Sequence, residues 1–145
     1  MIKFTIIGKP KQQQRHRPSA RGGYYDPSSK DKKQIWLQIA KFKPKLPFVG
    51  DISLKVTFYM PRPKSHYCTG KRSHVLRAKA PTFHSVRPDI DNLIKFYMDL
   101  LNKGFYVDDS QICALASIKV YSDDLDWNND HPRTEVEIKE IIQEI

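Results

Sequence analysis

The stretch IDNLIKFYMDLLNKG, residues 90–104, carries the clearest structural pattern in the chain. Its apolar side chains fall at positions 90, 93, 94, 97, 98 and 101, which is the spacing of one face of an α-helix. Gly104 follows the last of them and suits the end of a helix. Asp89, which comes directly after Pro88, suits the residue that caps the start. The pattern predicts an amphipathic helix with one face packed on a core.

The segments on either side of this helix predict four strands and a second helix. Residues with the alternation or β-branched content of strands occupy Ile2–Ile7, Ile52–Met60, Ile112–Tyr121 and 134–142. A helix is predicted to begin at residues 27–29 and to continue through Phe42, before Pro44. The order is therefore β-α-β-loop-α-β-β. We predict an α+β fold with a small mixed sheet of about four strands and two helices, in a single domain over residues 1–145.

Length and composition exclude several classes of protein. No apolar run approaches the roughly 20 residues that span a bilayer, and the first ten residues lack the apolar centre of a signal peptide. The two cysteines, Cys68 and Cys113, make no disulfide framework and suit a reducing compartment. We therefore expect a cytoplasmic protein without a membrane partner, and not a secreted mini-protein.

The two parts of the chain differ sharply in charge. Residues 1–88 hold 20 Lys and Arg against three acids, whereas residues 89–145 hold five against 13. Phosphate polymers are the commonest partners of such a basic surface, so we expect nucleic acid there, although a merely solvated surface is the alternative. Backbone rather than base contacts are expected from Lys11, Arg15, Arg17, Arg21, Lys71, Arg72, Arg77, Lys79 and Arg87.

Two basic loops carry most of this charge, at residues 8–26 and 61–88. The second has 28 residues and no acid, and loops of that length in small domains are usually functional or disordered. Tyr24, Tyr25 and Tyr67 are candidates for stacking on an exposed base. Trp36 lies on the apolar face of the first helix and is expected in the core.

A group of acidic residues surrounds the amphipathic helix. Asp89 and Asp91 stand at its start, Lys95 follows one turn later, and Asp108 and Asp109 lie on the turn after its end. Carboxylates with this spacing suit a hard divalent cation, with either Asp108 or Asp109 as a third ligand. Lys95 is placed to contact a phosphate. The chemistry that this pattern fits is metal-assisted hydrolysis of a phosphodiester.

Other interpretations of the polar residues are available. The acids could cap helix ends, pair with Lys95 and form a polar turn. A zinc site from His66, Cys68, His74 and His84 is disfavoured, because their spacing matches no common ligand pattern. Gly22-Gly23 lacks the ending of a phosphate-binding loop and indicates a turn.

Residues 87–112, RPDIDNLIKFYMDLLNKGFYVDDSQI, resemble the signature of the RusA-like Holliday junction resolvases, small phage and prophage endonucleases. GKPKQQQRHRP (8–18), YYDP (24–27) and FYMPRPKSHY (58–67) resemble the phage branch of that family. The resemblance implies that Asp89, Asp91 and Asp109 hold Mg²⁺, with Mn²⁺ as a substitute, and that Lys95 serves cleavage. It also implies a homodimer that cuts four-way DNA junctions symmetrically in recombination or repair, without a small-molecule cofactor, in a bacterial or phage setting.

This chain departs from the family pattern in two places. Residues 68–83 form an insertion relative to compact members, and the first loop is rich in Gln rather than Asn. Both lie where substrate would be gripped, so cut-site preference is not implied. Two other functions use the same residues: a non-catalytic protein that binds branched DNA, and a metal nuclease that acts on flap DNA or RNA.

Overall fold

Residues 1–122 and 131–143 are described by a computed structural model, and they form six strands and two α-helices. In chain order these are β1 (Ile2–Ile7), β2 (Arg17–Pro18), β3 (Tyr24–Tyr25), α1 (Ser29–Ile39), β4 (Ile52–Met60), α2 (Ile90–Leu101), β5 (Ile112–Tyr121) and β6 (Arg133–Glu140). The predicted α+β fold is confirmed. Among the described residues, no helix combines the length and apolar character needed to cross a membrane.

Four of the strands form the predicted mixed sheet, and their order in it is β1-β6-β4-β5. The β4 and β5 strands are parallel, and β6 is antiparallel to both β1 and β4. Two parallel neighbours require a crossover connection, which the long loop and α2 provide. Since α2 returns between them, its first turn lies near the end of β5, and its last turn lies near the start.

One face of the sheet packs with both helices in a single core. Leu54, Val56 and Phe58 of β4 are fully buried there, because alternate side chains of a strand point to the same face. The predicted apolar face of α2 is buried over Leu93, Ile94 and later turns. Ile90 differs from the prediction: it is 38% exposed, since it lies in the first turn and lines a surface cleft.

The remaining differences from the prediction concern short elements. The first helix is shorter than expected, because α1 ends at Ile39 and a 3-10 turn continues over Ala40–Phe42. The two-residue strands β2 and β3 form a small hairpin that no pattern indicated. Its turn includes Gly22 and Gly23, both with positive φ, in agreement with the predicted turn. The acidic, Asn-rich sequence that precedes β6 predicts a loop, and most of it, residues 123–130, lies outside the described residues.

The long basic loop is attached to the sheet through Arg62. Its guanidinium donates to the Pro81 carbonyl oxygen at 2.7 Å and to the Ser122 carbonyl oxygen at 3.1 Å, and it lies over the Tyr121 ring. His66 and His84, two of the residues weighed for zinc, pack edge-on against the same ring. These contacts give the loop a defined path toward α2.

Gly104 approaches Trp36 too closely to accept a side chain. A Cβ at position 104 would lie 2.1 Å from the Trp36 ring, which packs edge-on against Phe105. Trp36, expected in the core, is partly buried and packs against it. Gly104→Ala is therefore expected to lower the free energy of unfolding by about 1–3 kcal/mol through overpacking. Urea titration followed by circular dichroism measures this.

The matched control is Gly50→Ala. A Cβ there would lie 2.7 Å from Glu140 Oε1, the end of a flexible side chain that can move away. Equal unfolding midpoints for wild type and Gly104→Ala would contradict the packing described here.

Candidate active site

Asp89 and Asp91 lie two residues apart at the start of α2, where both are exposed. Asp89 occupies the N-cap position, as predicted, but its side chain makes no capping hydrogen bond. Asp91 accepts a hydrogen bond from the Asn92 backbone N–H at 2.9 Å. Among the described residues neither carboxylate forms an ion pair with Lys95. The capping interpretation is therefore wrong for the Asp89 side chain, and its oxygens are available to a ligand.

Two clefts meet at Asp89. One has a volume of about 730 Å³ and lies between residues 83–90 and Ser117–Lys119 of β5. The other has a volume of about 390 Å³ and is lined by Gln12, Arg87 and Asn92. The Asp89 carboxylate thus borders a concave surface formed by the first basic loop, the second basic loop and β5.

The first basic loop is anchored directly on α2. The Gln13 backbone N–H donates to the Asn92 carbonyl oxygen at 2.9 Å, and the Lys11 backbone N–H donates to the Tyr97 hydroxyl oxygen at 2.9 Å. Burial raises the pKa of Tyr97, despite opposing hydrogen bonds, so the hydroxyl stays neutral. These bonds place the positively charged loop beside the two carboxylates.

Lys119 positions the segment that precedes Asp89. Its Nζ donates to the carbonyl oxygens of Val86 at 2.7 Å and Pro88 at 2.6 Å. No sequence pattern indicates this role, because a lone lysine in a strand carries no motif and the contact spans more than 30 residues. Lys119 therefore ties β5 to the start of α2.

Asp99, the third acid along the polar face of α2, belongs to a separate ion-pair group. Lys32 Nζ lies 2.7 Å from its Oδ2 and 2.6 Å from Asp26 Oδ2. Burial opposes the charge on Lys32, but the two carboxylates outweigh it and raise the pKa of the amine. Asp26 also accepts from Gln13 of the first loop. The group links α1, α2 and the first basic loop.

The Asp26 carboxylate is expected to make the stability of the fold depend on pH in the acidic range. Burial raises the pKa of this carboxyl, but hydrogen bonds from Lys32, Ser28 and Gln13 outweigh burial, so the pKa lies below its usual range. Its contribution to stability is present above the unfolded-state pKa of about 4 and is lost as pH falls through the folded-state pKa. Asp26→Asn is expected to lower stability at pH 7 and to flatten the loss of stability below about pH 4.

Urea unfolding of wild type and Asp26→Asn from neutral to acidic pH tests this prediction. Asp31→Asn, in the first turn of α1 and without an ion pair among the described residues, is the control and should follow wild type. Parallel pH profiles for wild type and Asp26→Asn would contradict the assigned role.

Asp108 and Asp109 differ in the hydrogen bonds that their carboxylates make. Asp108 forms a capping box with Gln111 and accepts from the Ser110 N–H at 3.1 Å, a contact that lowers the pKa of its carboxyl. The capping alternative is thus right for Asp108. Asp109 makes no side-chain hydrogen bond or ion pair with any described residue, so of the two it has the free carboxylate.

The structure separates Asp109 from Asp89 and Asp91 within one chain. Asp89 precedes α2 and Asp91 lies in its first turn, whereas Asp109 lies beyond its end; the 12 residues of the helix span about 18 Å at 1.5 Å per residue. Asp109 instead lies near Tyr106, where burial and the charges of the neighbouring acids raise the pKa of the phenol. Within residues 1–122 and 131–143, no group of three His, Cys, Asp or Glu side chains could hold a metal ion. The three-ligand set stays a prediction.

The predicted DNA-contacting residues are all exposed, and so is Lys95. Tyr24 and Tyr25 are also exposed, on the hairpin of the first loop. Tyr67 is only partly exposed, and its hydroxyl is buried without a hydrogen-bond partner among the described residues. Tyr24 and Tyr25 are therefore better placed than Tyr67 to stack on a base.

A family model described as endodeoxyribonuclease RusA matches residues 8–139, which include both basic loops and all the acids discussed above. The chain belongs to the RusA endodeoxyribonuclease family. It is 32% identical over 122 residues to the crossover junction endodeoxyribonuclease rusA of Lactococcus phage r1t, covering 81% of this chain and 78% of that one. It is 34% identical over 145 residues to the uncharacterized protein YqaN of Bacillus subtilis (strain 168), covering 97% and 96%.

The residues at the start of α2 fit the divalent cation that the RusA resemblance implies. Asp89 and Asp91 offer exposed carboxylate oxygens, the donors that Mg²⁺ prefers, and neither is neutralised by a basic side chain among the described residues. Carboxylates beside a basic surface would repel a phosphate unless a cation lay between them. The donor chemistry of these two carboxylates is therefore suitable for the cation.

Proposed function

We propose that this protein is a Mg²⁺-dependent endodeoxyribonuclease that resolves Holliday junctions by paired, symmetric cuts. The observation that carries the proposal is the anchoring of the first basic loop on Asn92 and Tyr97, directly beside Asp89 and Asp91. Membership of the RusA family supports the reaction class, and the name of the phage relative supports the junction as substrate.

The exposed basic residues of the two loops would hold the DNA backbone. Since these contacts are to phosphates, they supply affinity and orientation rather than sequence preference. Tyr24 and Tyr25 lie on the hairpin of the first loop, where they can stack on a base exposed at the branch point. The protein thereby holds one phosphodiester over the start of α2.

Asp89 and Asp91 would hold Mg²⁺, for which Mn²⁺ substitutes, and Asp109, which lies beyond the far end of α2 in its own chain, would join them from the second subunit. When bound, the cation supplies Lewis-acid stabilisation of the charge that develops on the phosphate. Lys95, exposed one turn after Asp91, would contact the scissile phosphate. Lys119 would keep the backbone before Asp89 in place. Two cuts related by symmetry require two such sites, and hence a homodimer.

The test is a cleavage assay on a labelled four-way junction with and without Mg²⁺, beside flap, linear duplex and RNA substrates. The proposal predicts paired nicks in the junction that require the metal and little cleavage of the other substrates. A band shift without nicking would support the non-catalytic DNA binder. Preferred cleavage of flaps or RNA would support the alternative metal nuclease.

A further inference from the structure

A groove with a volume of about 440 Å³ lies between α1 and α2, and most of its lining surface is apolar. Leu37 of α1, which lines it, is 82% exposed, and the Trp36 side chain beside it is partly exposed. A contiguous apolar surface bordered by polar side chains is typical of a site that binds another molecule. The groove is lined by Lys32, Lys33, Trp36, Leu37, Asp99 and Leu100.

The charge that is free at this groove is positive. Asp99 is the acid that lines it, and the Asp99 carboxylate is already paired with Lys32. Lys33 is exposed and forms no ion pair with any described residue. Lys103 is also exposed, just past the end of α2. A ligand in the groove would therefore meet cations that lack a partner, beside a carboxylate that has one.

The lining and the position of the groove favour a peptide over DNA as the ligand. Phosphates are held by cations and hydrogen-bond donors, whereas the floor of this groove is aliphatic and aromatic. Its most exposed apolar residue, Leu37, offers no ring on which a base could stack. At 1.5 Å per residue, Leu100 lies about 14 Å along α2 from Asp91. A ligand in the groove would thus leave the start of α2 open.

We propose that the groove between α1 and α2 binds an acidic peptide segment of another protein. One large apolar side chain of that segment packs against Trp36, Leu37 and Leu100, and its carboxylates lie near Lys33 and Lys103. A single apolar anchor in a groove, with charged residues around it, is a common way to bind a short peptide. The partner would bring this chain to a chosen place without covering Asp89 and Asp91. The inference does not rest on the proposed function, because the groove is separate from that site.

The ligand class is tested with a short fluorescein-labelled peptide that carries several aspartates around one phenylalanine. Fluorescence anisotropy is expected to show saturable binding of this peptide to the full chain. A version with serine in place of the phenylalanine, and a version with lysines in place of the aspartates, should each bind at least about tenfold more weakly. No saturable binding of the first peptide up to about 1 mM protein, a limit that corresponds to only about −4 kcal/mol of binding, would overturn the proposal.

The place of binding is tested with Leu37→Ser, which removes the exposed apolar side chain without adding charge. It is expected to weaken binding of the acidic peptide by about tenfold, since a buried apolar contact is lost. Lys33→Gln should make the binding less dependent on salt. Leu46→Ser is the matched control, because Leu46 is 80% exposed but does not line the groove. Equal affinities for wild type and Leu37→Ser, or equal salt dependence for wild type and Lys33→Gln, would overturn the assigned site.

Two further measurements on Leu37→Ser distinguish the peptide from other occupants of the groove. Junction binding in a gel shift and the sedimentation coefficient are both expected to equal those of wild type. Weaker junction binding would assign the groove to the DNA-binding surface, and a changed oligomeric state would assign it to a second copy of the chain. Either result would overturn the peptide proposal and would leave the proposed function standing.

Discussion

Asp91→Asn is expected to abolish junction cleavage while leaving junction binding unchanged or tighter. The substitution keeps the shape of the side chain but removes one negative charge and a ligand of the proposed Mg²⁺ site. Removing outer-shell partners of metal ligands already costs 10- to 100-fold, so loss of a direct ligand should lower the cleavage rate more than about 100-fold. Binding should not weaken, because the exposed site faces phosphate and becomes less repulsive.

Single-turnover cleavage in Mg²⁺ and gel-shift titration without metal measure the two quantities separately. Asp99→Asn is the matched control, since Asp99 lies on the same helix but pairs with Lys32. It should cleave at close to the wild-type rate. Cleavage by Asp91→Asn at close to the wild-type rate would contradict the assigned role. Joint loss of binding and cleavage, with an altered circular dichroism spectrum, would point instead to misfolding.

Replacing Arg15, Arg17 and Arg21 together with Gln is expected to weaken junction binding strongly. All three are exposed on the first basic loop, which α2 anchors beside the carboxylates. Each phosphate contact contributes about 0.9 to the slope of log affinity against log salt, so the slope should become less negative by about 2.7. Taken from 1 M salt as the reference to 0.1 M salt, a slope change of about 2.7 corresponds to a loss of affinity of roughly 500-fold.

The control removes the same charge elsewhere. Lys41, Lys43 and Lys45 are exposed in the segment after α1, and none of them is a predicted DNA contact. Their triple replacement by Gln should change the slope little. Equal slopes and affinities for the two triple variants would show that only net charge matters and would contradict a DNA-binding loop.

The sequence was sufficient to predict the main elements because their patterns are strong. The buried alternation of β4 and the stripe on α2 each specify one face of one element, and the structure places both on the core. The β2–β3 hairpin was missed since two-residue strands carry no periodicity. The exposure of Ile90 was missed because a helical pattern does not show where the neighbouring element ends.

In the candidate site too, the features that could be predicted depend on residues close together in sequence, and those that could not depend on contacts between distant segments. Asp89 and Asp91 share one helical turn, so their placement followed from spacing alone. The contacts of Lys119 with Val86 and Pro88, and of Gln13 with Asn92, join segments far apart in sequence and have no local signal. The distance of Asp109 from Asp89 depends on the direction of α2 between two parallel strands, which becomes clear only once the sheet order is known.

The most direct test of the central claim is anomalous diffraction from crystals of the wild-type protein soaked in Mn²⁺. The account predicts a manganese peak within about 2.0–2.5 Å of carboxylate oxygens of Asp89 and Asp91, and loss of that peak in Asp91→Asn crystals. A structure in which Mn²⁺ binds only elsewhere, or in which these carboxylates are instead paired with basic side chains, would contradict it.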